Sequence, residues 1–346
     1  MAEDYSLPQE VEKYDPDNMR QDILQMPSQV SQGYQLGDKV DLAGLEDTHF
    51  SDVIIIGMGG SSIAGLILKD YLQTDPLKLV INQDYSLPVW AGQGTLVIAC
   101  SYSGNTEETL SAFKEARRRG CGLVIVTVGG KLEEQAKVTR LPIVKIPSGH
   151  QPRSSMPVQF FVILRILERL RLVSDKGAEV GRVAADLKAQ APGIEKNAIS
   201  LSEKVAGRTP LVYTSSKFSS VGYRWKCQFN ENAKTPGFCH TFSELNHNEM
   251  DGFENLNASF HAVFLRFEDD FRRVQQRMDL TRDILLKRGV AVTDIGIRGP
   301  TRLSKMFAAV LLGDLTTYFL ALRLRTNPSK VDLIEEFKRK LGPFVV

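Results

Sequence analysis

The chain has 346 residues, 42% hydrophobic and 24% charged, the composition of an ordinary globular protein. At the usual ~100–200 residues per domain, that length predicts two domains. A formal net charge of +2 is too small to predict binding to nucleic acid or an anionic membrane surface.

The first residues, Met1-Ala2-Glu3-Asp4, are acidic and lack an apolar core, so no signal peptide is expected. No apolar run approaches the ~20 residues of a membrane helix. Cys100, Cys121, Cys227 and Cys239 are scattered without a CxxC pair, which predicts free thiols in a reducing cytoplasm.

Residues 1–48 are polar and broken by Pro8, Pro16 and Pro27. They predict an N-terminal arm with one short helix over Asp17–Met26. Between Asp52 and Ile146 strands alternate with helices. Strands are predicted at Val53–Ile56, Leu79–Ile81, Leu96–Cys100, Leu123–Val128 and Pro142–Ile146. Helices are predicted at Ile63–Leu72, Glu107–Arg119 and Leu132–Val138. Unbroken Val/Ile/Leu runs imply strands buried on both faces, hence a parallel sheet covered by helices.

A turn at Pro147–Pro152 leads into helical stretches over 154–172 and 175–205. A second alternating block opens with the strand Pro210–Tyr213. It continues with a helix over Val221–Glu231, a strand at His261–Leu265, a helix over 268–287 and a strand at Gly289–Asp294. Helices over 303–325 and 330–341 follow. The segments divide as an arm (1–48), a first α/β domain (49–152), linking helices (153–206), a second α/β domain (207–326) and a helical tail (327–346). The two blocks share their order, which predicts an internal duplication; no short repeat is visible.

Two loops carry the first chemical signal. Gly57-Met58-Gly59-Gly60-Ser61-Ser62 and Ser101-Tyr102-Ser103-Gly104-Asn105-Thr106 each follow an apolar strand and open a helix. Glycine frees the backbone to turn and present its N–H groups, and a helix start favours an anion. Gly60, Ser61, Ser101, Ser103 and Thr106 are therefore the candidate ligands of a phosphate ester. The competing account makes these residues tight turns with serine caps. Glu107 and Glu108 complicate the phosphate reading, since both carboxylates fall in the second helix's first turn. Gly57-x-Gly59-x-x-Ser62 lacks the third glycine of a dinucleotide fingerprint, so a nicotinamide cofactor is not expected.

Gly59-Gly60-Ser61 with Ser-x-Ser-Gly-Asn-Thr resembles the sugar isomerase (SIS) domain. The resemblance implies two SIS-type αβα sandwiches over residues 50–341.

A second polar region runs from Asn230 to Glu249. It holds Glu231, Glu244, His247 and Glu249, threaded by Trp225, Phe229, Phe238, Phe242 and Leu245. Those apolar residues argue against a merely solvated loop, and histidine titrates near neutrality. His240 and His247 are not at a zinc-ligand spacing, so no metal is expected. Asn230-Glu231-Asn232-x-Lys234-x-Pro236 and Glu244-Leu245-Asn246-His247-Asn248-Glu249 strongly resemble the bifunctional phosphoglucose/phosphomannose isomerase family. Tyr14-Asp15-Pro16 through Met19, Ile23 and Pro27 is similar to that family's N-terminus. Gln151-Pro152-Arg153 resembles its arginine motif and Val331–Leu341 its C-terminal lysine motif. Two positions depart: Ser243 stands where proline is expected, and Asn327-Pro328-Ser329-Lys330 replaces a Pro-Thr-Pro run. The second departure leaves the epimer preference open.

Val331, Ile334 and Leu341 recur at helical spacing, and Lys338 falls on the same stripe, which predicts a lysine on a buried face. The resemblance implies a cofactor-free aldose–ketose isomerase of hexose 6-phosphates. Glu231 would be the base, His247 with Lys338 the ring-opening pair, and Arg153 the stabiliser of the enediolate. It also implies a cytoplasmic homodimer in which His247 serves the neighbouring subunit's site. A non-catalytic sugar-phosphate sensor would need a DNA-binding module, for which the arm is too short and acidic. An amino-sugar phosphate isomerase would often carry a glutaminase domain led by a cysteine, and the first cysteine is Cys100.

Overall fold

The computed structural model describes residues 7–344, so the acidic start Met1–Asp4 lies outside the described residues. The chain divides into two compact units. One comprises Gln25–Ala184 with the segment from Lys340 onward; the other comprises Ala185–Arg339 with the segment ending at Leu24.

The N-terminal segment holds three helices, α1 (Leu7–Tyr14), α2 (Met19–Leu24) and α3 (Met26–Lys39), where the sequence predicts one. In the first unit α3 packs against α7 (Met156–Arg169). A Cβ at Gly33 would lie 2.5 Å from the Val158 carbonyl oxygen, and one at Gly37 2.7 Å from that of Val162. Glycines let the two backbones touch, which is why this core helix reads as polar.

Five parallel strands form the first sheet: β1 (Asp52–Ile56), β2 (Leu79–Asn82), β3 (Thr95–Ser101), β4 (Gly122–Thr127) and β5 (Ile143–Lys145). Their order is β2-β1-β3-β4-β5. Every residue of β1 and β3 is buried, as the unbroken apolar runs predict. Helices α4 (Gly59–Tyr71), α5 (Glu107–Arg118) and α6 (Gly130–Thr139) start directly beyond β1, β3 and β4. The chain reverses direction across the sheet between β1 and β3, the switch point where open α/β sheets bind ligands.

The helix α8 (Gly177–Val205) leads into the second sheet of four parallel strands. These are β6 (Thr209–Ser215), β7 (Phe238–Phe242), β8 (Phe260–Phe267) and β9 (Ala291–Ile297), ordered β7-β6-β8-β9. This repeats the first sheet's order without its fifth strand, so the expected duplication is visible in topology. The sequence reading misses β7, the counterpart of β2, because it lies in the polar stretch.

Helices α9 (Ser219–Glu231), α10 (Arg272–Lys287), α11 (Arg302–Arg323) and α12 (Asp332–Leu341) complete the second unit's set. The helix α11 is long and apolar enough to cross a membrane, which corrects the expectation that no stretch reaches that length, but its apolar window is wholly buried in the protein. It faces α9, where the Trp225 indole donates to the Ala309 carbonyl at 2.8 Å. Beside it Arg224 pairs with Asp314 at 2.8 Å, with both side chains buried.

A Cβ on Gly313 would lie 2.4 Å from the Trp225 ring. Gly37→Ala and Gly313→Ala should therefore each cost about 1–3 kcal/mol through overpacking. Gly181→Ala in α8 meets nothing within 4 Å and should be neutral or stabilising by up to about 1 kcal/mol. Urea unfolding measures all three; equal effects would contradict these close approaches.

Candidate active site

The first unit's candidate ligands lie on the two loops flanking the β1/β3 switch point. Gly59 has a φ of +52°, the left-handed conformation that lets β1 turn into α4. A Cβ on Gly57 would stand 2.9 Å from the Cys100 carbonyl, so the two loops run against each other. In the second loop the Ser101 and Thr106 hydroxyls share a hydrogen bond at 2.9 Å. Ser101 Oγ also accepts from the Gly104 amide at 3.1 Å, and Ser103 Oγ from the Asn105 amide at 3.2 Å. Gly104 has a φ of +69°, and a Cβ there would meet the Gly129 carbonyl at 1.7 Å.

The serine-cap account holds for the second loop's own turn, where Ser101 and Ser103 take the Gly104 and Asn105 amides, but not for the helix starts. The residues preceding α4 and α5, Met58 and Thr106, make no side-chain cap hydrogen bond. Ser61 is buried, and its hydroxyl has no hydrogen-bond partner among the described residues. The helix starts thus present backbone N–H groups that these hydroxyls leave uncapped. A third loop, Val128-Gly129-Gly130, joins them: the Lys131 amide donates to Asn105 Oδ1 at 3.1 Å. Its signal was in the sequence, since Gly129-Gly130 also follows an apolar strand and opens a helix.

Arg153 belongs to the same unit. It sits in the short 3-10 turn Pro152–Ser155 and is 3% exposed. A Cβ on Gly60 would lie 3.0 Å from the Arg153 Cα and from the Pro152 carbonyl. The first loop therefore presses against the arginine turn, and a larger residue at position 60 would push that turn outward. Behind the turn Ser155 Oγ donates to the Pro152 carbonyl at 2.8 Å, and Gln159 Nε2 donates to Ser155 Oγ at 3.2 Å.

Glu231 lies in the second unit, half-buried at the C-terminus of α9. The backbone after it is held by Lys234, a residue to which sequence reasoning gave no role. Lys234 adopts a φ of +52°. Its ammonium donates to the carbonyls of Glu231 (2.7 Å), Asn232 (3.1 Å), Asn327 (2.7 Å) and Pro328 (3.3 Å). A cation on the last carbonyls of a helix complements its dipole. Asn327 closes its own turn, its Oδ1 accepting from the Ser329 amide at 2.7 Å. The departure from a Pro-Thr-Pro run at this point thus has a structural use.

His247 ends the 3-10 turn Glu244–His247 beyond β7. Leu245 is the buried anchor of that turn. The His247 side chain is exposed, and its ring makes no hydrogen bond to the described residues. The nearby Glu249 accepts from the Tyr213 hydroxyl, and its carboxylate lies 2.9 Å from His240 Nδ1. Burial and the Glu249 charge push the Tyr213 hydroxyl far above its ordinary pKa, so it stays a donor.

Lys338 overturns an expectation. No residue of α12 is buried, and Lys338 pairs with Glu335 at 2.9 Å. The apolar stripe it was read onto is itself exposed, with Ile334 at 43% and Leu341 at 57%. Helical spacing reports that a face is apolar, not that anything covers it.

Residues 194–341 match the family model described as a bacterial phospho-glucose isomerase C-terminal SIS domain. The chain is 36% identical over 336 residues to a bifunctional phosphoglucose/phosphomannose isomerase of Caldicellulosiruptor bescii, covering 94% of this chain and 99% of that one. It is also 36% identical over 294 residues to the protein of that name from Thermoplasma acidophilum, covering 85% and 90%. The C-terminal domain of glucosamine-fructose-6-phosphate aminotransferase from Francisella tularensis superposes with a TM-score of 0.69 at 13% identity, covering 90% of this chain and 98% of that one. At that identity the likeness is one of fold, and the fold is the expected α/β architecture of parallel sheets covered by helices.

Removing the Lys234 ammonium should free the end of α9. In Lys234→Met, the amides of Ala233 and Thr235 should exchange at least about tenfold faster, the loss of one charge-assisted hydrogen bond. Amides in the middle of α9 should not change. Unaltered exchange at Ala233 and Thr235 would show that the ammonium does not hold this segment.

Proposed function

The chain belongs to the bifunctional phosphoglucose/phosphomannose isomerase family, and on that premise we propose that it interconverts glucose 6-phosphate and mannose 6-phosphate with fructose 6-phosphate. The observation that carries the reading is the pair of uncapped helix starts at the β1/β3 switch point, with Arg153 pressed against Gly60. A helix N-terminus with exposed N–H groups is a ready site for a phosphate dianion. Gly60, Ser61, Ser101, Ser103 and Thr106 hold that phosphate, and the backbone of the buried Arg153 packs against the first of their loops.

The chemistry needs only proton movement. Ring opening puts a proton on the ring oxygen and takes one from the anomeric hydroxyl. His247 does this with Lys338, as the family motif implies. Glu231 then moves a proton between C2 and C1 through a cis-enediol. Arg153 is a fixed charge where the enediolate's negative charge develops. Glucose and mannose 6-phosphate differ only at C2, and C2 becomes planar in the enediol. One intermediate therefore serves both sugars, provided the site lets the C2–C3 bond rotate. The phosphate anchor supplies remote binding energy that holds the reacting end in place.

The exposed ring of His247, which has no hydrogen bond among the described residues, supports a homodimer in which this histidine completes the neighbouring subunit's site. The exposed ammonium of Lys338 is likewise accessible rather than locked in a core.

Pure protein given fructose 6-phosphate in EDTA should yield glucose 6-phosphate and mannose 6-phosphate; absence of both would refute the proposal. Glu231→Gln should abolish turnover while sugar-phosphate binding survives. Ser103→Ala and Thr106→Ala should raise KM by roughly three- to tenfold with little change in kcat, the pattern of a uniform anchor. Co-refolded Glu231→Gln and His247→Ala chains should recover about a quarter of wild-type activity if the histidine works across a two-fold interface. No recovery would place His247 in its own chain's site.

A further inference from the structure

The segment between β2 and β3 is tied to both phosphate loops. Gln83 Nε2 donates to Ser62 Oγ in α4 at 3.0 Å. Two residues on, the Tyr85 hydroxyl donates to the carboxylate of Glu107, the first residue of α5. The segment is braced along α5: the Leu87 amide donates to Glu115 Oε2 at 2.7 Å, and Arg119 Nη1 to the Pro88 carbonyl at 2.7 Å. The Phe344 ring packs on Tyr85, with centroids 5.6 Å apart.

Glu107 poses a physical problem. It adjoins Thr106 at a helix start that must attract a dianion, and its own negative charge is attracted to that same dipole end. A carboxylate free to turn toward the loop's N–H groups would compete with the phosphate for them. We propose that Tyr85 is a positioning residue for the phosphate loops: its hydroxyl holds the Glu107 carboxylate aside, so that the start of α5 stays open to a phosphate ester.

This rests on the phosphate-cradle reading above. The donor is dependable, because the hydrogen bond to Glu107 pushes the Tyr85 hydroxyl pKa up to about 12, well above neutrality. The arrangement also answers the complication that the two first-turn glutamates raise in the sequence. For Glu107, the one adjoining the loop, the answer is a partner three-dimensionally close but 22 residues earlier in the chain.

The test is kinetic, on the full chain, with inorganic phosphate as the second probe. Wild-type protein should isomerise fructose 6-phosphate with competitive inhibition by phosphate. Tyr85→Phe should raise both KM and the phosphate inhibition constant by roughly three- to tenfold, with kcat within about twofold. The defect should shrink in high salt, since it comes from an exposed charge. Tyr85→Phe/Glu107→Gln should return to within about twofold of Glu107→Gln alone. Failure of phosphate to compete in the wild type would overturn the cradle itself. Competition in the wild type with an unaltered Tyr85→Phe would overturn this proposal alone, as would a double variant that keeps the single variant's defect.

Discussion

The contact on which the candidate site depends is a backbone packed against a backbone. Gly60 lies so close to the Pro152–Arg153 peptide that a single methyl group would collide at 3.0 Å. That contact fixes the arginine turn to the first loop, and the first loop is itself pressed on the end of β3 through Gly57. A flexible arginine reaching in from solvent would lose side-chain entropy on each binding event. A buried one, with its turn braced by Ser155 and Gln159, has lost that entropy on folding. The electrostatic benefit of a fixed charge follows from this preorganisation.

The two sheets share a strand order, yet their C-terminal edges are used differently. At the first sheet the hydroxyls of Ser101, Ser103 and Thr106 bond only within their own loop, and no acidic or aromatic side chain is bonded to them among the described residues. At the corresponding edge of the second sheet, Ser215 donates to the buried Asp270. Phe218 stacks on Phe267 with centroids 3.6 Å apart, and the Arg302 guanidinium lies 4.5 Å from the Phe218 ring. Lys305 is paired there with Glu268 at 3.0 Å and with Asp269 at 2.5 Å. Acidic and aromatic side chains fill the place where a phosphate would need donors. The two sheets thus share a topology while their edges differ in lining, and Glu231 and His247 lie in the half whose edge is filled.

What the sequence reveals, and what it hides, follows from who makes each contact. Strands β1, β3, β4, β6 and β8 were legible because their burial on both faces demands unbroken apolar runs. The helix α3 was not, because its closest contact is made by Gly33 and Gly37, which no hydropathy pattern registers. The strand β7 was not, because an edge strand is only partly covered and needs no unbroken apolar run: of its five residues only Phe242 is buried. Lys338 was placed on the correct face of its helix but in the wrong surroundings, since periodicity describes one helix alone. The glycine-and-serine loops were legible because close backbone approach and hydroxyl donors require those residue types.

Lys234 shows the limit most clearly. Its identity and its place in the Asn230–Pro236 motif were visible, while its partners at Asn327 and Pro328 come from 93 and 94 residues further along. A lysine with several carbonyl acceptors serves as a local cross-link whose strength lies in charge-assisted bonds to helix-terminal carbonyls. The same ammonium that steadies the end of α9 also ties it to the turn where this chain departs from its family's usual residues. Asn327 supplies two things to that turn, a carbonyl for Lys234 and a side chain that caps Ser329. A proline there could give the carbonyl but not the cap. Lys234 and Asn327 together hold the backbone next to Glu231, and the proton transfer proposed for that carboxylate would depend on how firmly the backbone is held.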